Sequence, residues 1–148
     1  MNNAVKCYEM VGESMSPFLQ EGDSLLVKEV NPKENLCLGD CLVYSSSDIK
    51  KVCHRLVKIK GEKLYLKGDN VPQVDSPVSP EDILGRVVAI KKADKLIILD
   101  TFLGRGKAIL AVYLSLFSIR CGFLSRWLRI LYYSPKEIIY RLKRKWIT

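Results

Sequence analysis

Apolar and polar positions divide the chain into two regions of different rhythm. From Val5 to about Leu99 the apolar residues fall in short runs punctuated by Gly, Asp, Asn and Pro, which is the pattern of strands joined by turns rather than of long helices. Ser24 to Val30 follows Gly22-Asp23 and closes at Asn31-Pro32, and Cys41 to Tyr44 follows Gly39-Asp40, so two strands begin at Gly-Asp turns. Lys51 to Lys60 and Lys63 to Lys67 flank Gly61-Glu62 and predict a hairpin with His54 on its first strand. A third Gly-Asp, at Gly68-Asp69-Asn70, opens a loop carrying Pro72, Asp75, Ser76, Pro77, Ser79 and Pro80, after which Asp82 to Ile90 resumes a strand.

Beyond Thr101 the rhythm changes. Ala108 to Ile119 is apolar for twelve residues, too few to span a bilayer. Arg120, Arg126 and Arg129 then interrupt an apolar stretch that runs to Tyr133, as in an interfacial helix whose cations reach out to water. Ser134-Pro135 breaks the pattern and starts a basic helix, in which Ile138, Ile139 and Leu142 oppose Lys136, Arg141, Lys143, Arg144 and Lys145. The sequence therefore predicts a mainly β domain over residues 1–101, followed by C-terminal amphipathic helices over residues 102–148.

Composition sharpens this division. The net charge of +8 is uneven: 10 of the 24 lysines and arginines lie from Phe102 onward against one acid, Glu137, so that part carries +9. Residues 1–101, with the other 14 cations and 15 acids, carry −1. Clustered cations among apolar aromatics suit an anionic membrane surface. Helices packed on the β domain with a solvated basic face are the alternative for this tail. Nucleic acid is not expected, because the tail lacks polar base-reading side chains and the domain it decorates is slightly acidic. Five cysteines, Cys7, Cys37, Cys41, Cys53 and Cys121, are odd in number and form no CxxC pair, which points to buried thiols in a reducing compartment and to no metal or other cofactor. The N-terminus, Met1 to Lys6, has no apolar run, so no signal peptide or N-terminal anchor is expected.

The chemistry rests on a serine and on the one histidine of the chain, His54. A serine hydroxyl is a poor nucleophile until a base takes its proton, and an imidazole titrating near neutrality suits that task. Ser14 lies in Gly12-Glu13-Ser14-Met15-Ser16-Pro17-Phe18-Leu19, followed by Gly22-Asp23 and a hydrophobic strand. This segment resembles the nucleophile box of type I signal peptidases, Ser-Met-x-Pro and then Gly-Asp. Gly39-Asp40-Cys41-Leu42-Val43-Tyr44 is similar to their second box. Cys53-His54-Arg55-Leu56-Val57 resembles the third, in the form in which endoplasmic-reticulum, archaeal and some Gram-positive members place a histidine where most bacterial members place a lysine. Lys67-Gly68-Asp69-Asn70 leading to Asp75-Ser76, then Ile83-Leu84-Gly85-Arg86-Val87, is similar to the last. The four occur in family order across residues 12–90.

The resemblance, to the serine–histidine form of the type I signal peptidase family within the signal peptidase/LexA-like clan, implies the following roles. Ser14 attacks the scissile carbonyl, His54 acts as general base and then acid, and Asp75 orients the imidazole, with Asp69 as a competing acid or a structural brace. The Ser14 backbone N–H donates to the oxyanion. Many bacterial relatives add a serine hydroxyl two residues before the nucleophile; here Gly12 stands there. Pro77 stands where an arginine commonly follows the Asp-Ser pair. The implied activity is a serine endopeptidase cutting signal or leader peptides after small residues, with an extended substrate added to the strand around Cys7 to Met10. The expected location is a membrane surface, on the cytoplasmic side. A LexA-like self-cleaving protein is one alternative, with Lys50 or Lys51 as base, though no Ala-Gly site precedes Ser14 and no DNA-binding segment is seen. A non-enzymatic membrane-associated adaptor of the same fold is the other.

Overall fold

A computed structural model describes residues 4–31, 36–46, 51–93 and 95–120. Seven antiparallel strands, β1 (Val5–Glu9), β2 (Ser24–Lys28), β3 (Cys41–Ser45), β4 (Lys51–Lys60), β5 (Lys63–Lys67), β6 (Ile83–Lys92) and β7 (Lys95–Ile98), form one sheet, followed by the helix α1 (Phe102–Arg120). The strand order is β1-β2-β6-β3-β4-β5, with β7 paired to β6. The mainly β expectation and the Gly-Asp strand starts therefore hold, as does the hairpin, which pairs Lys60 with Lys63 around Gly61-Glu62. Asp82 lies in a one-turn 3-10 helix, Pro80–Asp82, so the returning strand begins one residue later than expected.

The sheet curls because its long strands change partners at bulges. β6 pairs with β2, β3 and β7 in turn, and the register slips between Leu26 and Val27 and between Val43 and Tyr44. One consequence is that the Lys51 ammonium lies 4.9 Å from the Tyr8 ring centroid, so β1 and β4, separated in the sheet by three strands, face each other. Curling covers both faces of the central strands. Met10, Met15, Leu19, Leu25, Val27, Val43 and Ile90 pack in one core. Leu42, Tyr44, Leu56, Leu64, Leu66 and Ile83 pack in the other. Each such buried aliphatic contributes roughly 1.5–3 kcal/mol relative to exposure.

Helix α1 begins right after the last strand and packs back on the sheet. Ala111, Val112 and Ser115 are buried, while Ile109, Leu110, Tyr113, Leu116 and Phe117 are exposed, so the helix is apolar on its packed and on its outer side. No helix of the described residues is long and apolar enough to cross a membrane. The helices expected after Arg120, together with Cys121 and Lys50, lie outside the described residues.

Of the described cysteines, Cys41 and Cys53 are buried, as expected. Cys7 and Cys37 are exposed, which corrects the expectation of buried thiols throughout: Cys7 lies on the edge strand β1 and Cys37 in the turn ahead of β3, where neither core reaches.

Candidate active site

Three sequence segments converge at one end of the curled sheet. Ser14 sits in the turn that follows β1, half-buried, with Met15 and Leu19 fully buried beneath it as anchors. Ser16 N–H donates to Glu13 O and Leu19 N–H to Met15 O, which close the turn. Gly12 enters it at φ +84°, a conformation that L side chains rarely adopt. That is a local reason why a serine does not occupy this position. Among the described residues, neither Ser14 nor Met15 spends its backbone N–H on a hydrogen bond.

His54 lies in the buried middle of β4, opposite Leu42 of β3, and its side chain is 9% exposed. Its Nδ1 is 2.6 Å from Asp75 Oδ2. The same carboxylate oxygen accepts a hydrogen bond of 3.0 Å from the Tyr44 hydroxyl. Asp75 is carried by the proline-rich loop, which is stitched to β5: Asp75 N–H donates to Leu66 O, and Val78 and Leu64 exchange backbone bonds. Burial, followed by the Asp75 charge, pushes the Tyr44 phenol far above its usual range, so it stays a proton donor.

The serine turn and the histidine meet across Gly68. A Cβ placed on Gly68 would lie 2.7 Å from the Ser14 carbonyl oxygen and 3.0 Å from His54 Nε2, so these two atoms are at most 5.7 Å apart, the sum of the two separations. Asn70 N–H donates to the Ser14 carbonyl at 2.7 Å, and Asn70 Nδ2 to Glu13 O at 3.2 Å, which tie the serine turn to the Gly68-Asp69-Asn70 loop. Among the described residues the Ser14 hydroxyl makes no hydrogen bond to His54; a contact of this kind tightens in the complex with substrate.

Asp69 is placed elsewhere. It is buried and takes Arg55 in a two-pronged ion pair, Nε to Oδ1 at 2.9 Å and Nη2 to Oδ2 at 2.7 Å, while Arg55 Nη1 donates to Gly39 O. Its backbone N–H also points at Met15 Sδ, 3.4 Å away. Lys51 stands over Tyr8 at the start of β4, three residues before His54. No group of three or more metal-ligating side chains occurs among the described residues.

Two residues of this constellation escaped the sequence reading. Tyr44 lies two positions from Leu42, the cross-strand partner of His54, and so shares its face; the strand alternation held that signal, but only once the β3–β4 register was known. Arg55, beside His54 in the sequence, has no motif that gives its role, and its task is to carry the buried charge of Asp69.

Residues 1–88 match the family described as Peptidase S24-like. Signal peptidase I W of Bacillus subtilis (strain 168) is 37% identical over 75 residues, covering 47% of this chain and 40% of that protein. The chain thus spans less than half the length of that curated relative. With well over half of its residues in the family match, and Ser14 and His54 converging within it, the chain belongs to the Peptidase S24-like family.

Proposed function

We propose that the chain is a serine endopeptidase of signal-peptidase type, acting through Ser14, His54 and Asp75. The observation that carries this reading is the short His54–Asp75 contact facing the Ser14 turn across Gly68. His54 Nε2 takes the proton of the Ser14 hydroxyl as Oγ bonds to the scissile carbonyl carbon, and the carbonyl oxygen gains the negative charge. The uncommitted N–H groups of Ser14 and Met15 are available to that oxyanion; one pre-aimed donor is worth roughly 3–4 kcal/mol of barrier. Collapse breaks the peptide bond, the imidazolium gives its proton to the leaving amine, and the acyl group stays on Oγ. Water then attacks, with His54 again as base, and releases the carboxylic acid. Asp75 fixes the imidazole with Nδ1 protonated and stabilises its cation, while Asp69 serves as the brace for Arg55.

Among the described residues no strand pairs with β1 on the side away from β2, where it faces β4, so an extended peptide entering there would pair with its backbone next to Ser14. Signal or leader peptides with small residues before the cut are the proposed substrates. Residues 1–101 would form the catalytic part. Residues 102–148, with their charge of +9 and the uncovered apolar side of α1, would hold it at an anionic membrane surface on the cytoplasmic side.

Wild type, Ser14→Ala and His54→Ala, each with a library of leader peptides in detergent and in liposomes, test the reading by mass spectrometry of the products. Cleavage by wild type alone is expected. Cleavage by none of the three, with all folded and bound to liposomes, would favour a non-enzymatic adaptor.

A further inference from the structure

A cavity of about 450 Å³ lies between the start of α1, the β6–β7 hairpin and the turn after Ser14. Ser14, His54 and Asp75 do not line it; Pro17, Phe18 and Arg55 do, so it adjoins the candidate active site from behind the serine turn without including the reacting side chains. Its volume is that of ordinary small-molecule sites. One wall is apolar, with Val87, Ile97 and Ile98; Ile97 and Ile98 are 41% and 57% exposed, which places apolar surface at the mouth as well as inside.

The other wall holds Arg86. Its side chain is 11% exposed, and among the described residues its Nε is buried without a hydrogen-bond partner and its ion contacts are long: Nη1 to Asp40 at 3.8 Å and Nη2 to Asp100 at 3.5 Å. Neither distance is that of an N–H···O hydrogen bond. Asp100 is engaged more closely by Arg105, at 3.1 Å. Burial holds the Asp40 carboxyl above its usual range, and its Oδ2 already accepts the Cys37 N–H at 2.9 Å. A guanidinium this buried ordinarily has its forked donors met by an oxyanion. Arg105 and Lys107 add positive charge from the first turns of α1.

We propose that this cavity is a binding site for an amphiphilic anion, whose oxyanion head meets the Arg86 guanidinium and whose apolar body lies along Ile97 and Ile98. Phosphate is the head that the forked donors fit, and a phospholipid monomer supplies both halves, whereas free phosphate supplies only the first. The proposal does not depend on the peptidase reading.

The full 148-residue chain, methyl-labelled at Ile and Val, is titrated with dihexanoyl-phosphatidylglycerol below its micellar concentration, and in parallel with dihexanoyl-phosphatidylcholine and with inorganic phosphate. Saturable shifts of the Val87, Ile97 and Ile98 methyls are expected with the anionic lipid. The zwitterionic lipid and phosphate should each bind at least about tenfold more weakly, and Arg86→Gln should weaken the anionic lipid by about the same factor. If Arg86→Gln does not fold, Ile98→Ser at an exposed position takes its place, and should weaken the lipid without changing phosphate. The proposal is overturned by no saturable shift, by shifts confined to the outer side of α1 at Ile109, by equal affinity for the zwitterionic lipid or for phosphate, or by a folded variant that binds like wild type.

Discussion

Asp75 Oδ2 faces two donors at once, and this decides what its replacement should do. His54 Nδ1 at 2.6 Å and the Tyr44 hydroxyl at 3.0 Å both point at it; a carboxylate accepts both and stabilises the imidazolium by its charge, whereas an amide is neutral and its NH2 group, facing Nδ1, selects the other tautomer. Asp75→Asn is therefore expected to lower kcat by roughly 10²–10⁴-fold with KM little changed, whereas Tyr44→Phe, which leaves the His54 contact intact, stays within about tenfold of wild type. Steady-state kinetics on a peptide cut by wild type checks both, and equal losses in the two variants would mean that the carboxylate holds the imidazole only with the Tyr44 hydroxyl on it. Residues of this kind differ in legibility. Ser14 and His54 announce themselves because one sits in a patterned Ser-Met-x-Pro segment and the other is the one histidine of the chain. The division of labour between Asp75 and Asp69 is invisible in one dimension: it depends on which carboxylate the proline-rich loop carries to β4 and which is buried under Arg55.

At the scale of elements, the site is an approach of two loops and a strand, and Gly68 is the point of closest passage. Its missing side chain lets the Ser14 carbonyl, His54 Nε2 and a Val71 methyl share one space. Gly68→Ala puts a methyl 2.7 Å from the Ser14 backbone, so the serine turn and the imidazole must separate. A displacement of about 1 Å costs on the order of 10²-fold in rate. The expected result is at least that loss of kcat/KM with circular dichroism unchanged, while Gly106→Ala, in α1 with open space around it, keeps full activity. Activity retained in Gly68→Ala would mean that the serine and histidine do not act across this gap. The strands themselves were readable, since Gly-Asp turns and short apolar runs mark their starts. Their bulges were not, and neither was the seat of α1: the burial of Ala111, Val112 and Ser115 follows from how the sheet curls, while the helix sequence is apolar on both sides.

For the molecule as a whole, the curled sheet buries groups that must stay in one protonation state, and this sets an alkaline limit to stability. Burial pushes the Cys41 thiol up from 9.0 to about 11, Cys53 shifts in the same direction, and so does Tyr44. The folded state holds these protons more tightly than the unfolded chain. Stability is therefore fully present below about pH 9, where both states are protonated, and is lost as pH rises from there through about 11, where the unfolded thiol has ionised and the folded one has not. For Cys41 alone the loss amounts to up to about 3 kcal/mol, since each pKa unit is worth about 1.4 kcal/mol. Urea unfolding midpoints should be level from pH 7 to 8.5 and then fall. Cys41→Ala should start lower, because it opens a cavity, and fall less steeply over the same range. Alkylation at pH 8 gives an independent reading, with Cys7 and Cys37 modified in the folded protein and Cys41 and Cys53 only after denaturation. Parallel midpoint curves for wild type and Cys41→Ala, together with ready labelling of Cys41, would show that the sheet opens around β3 far more easily than its two-sided packing implies.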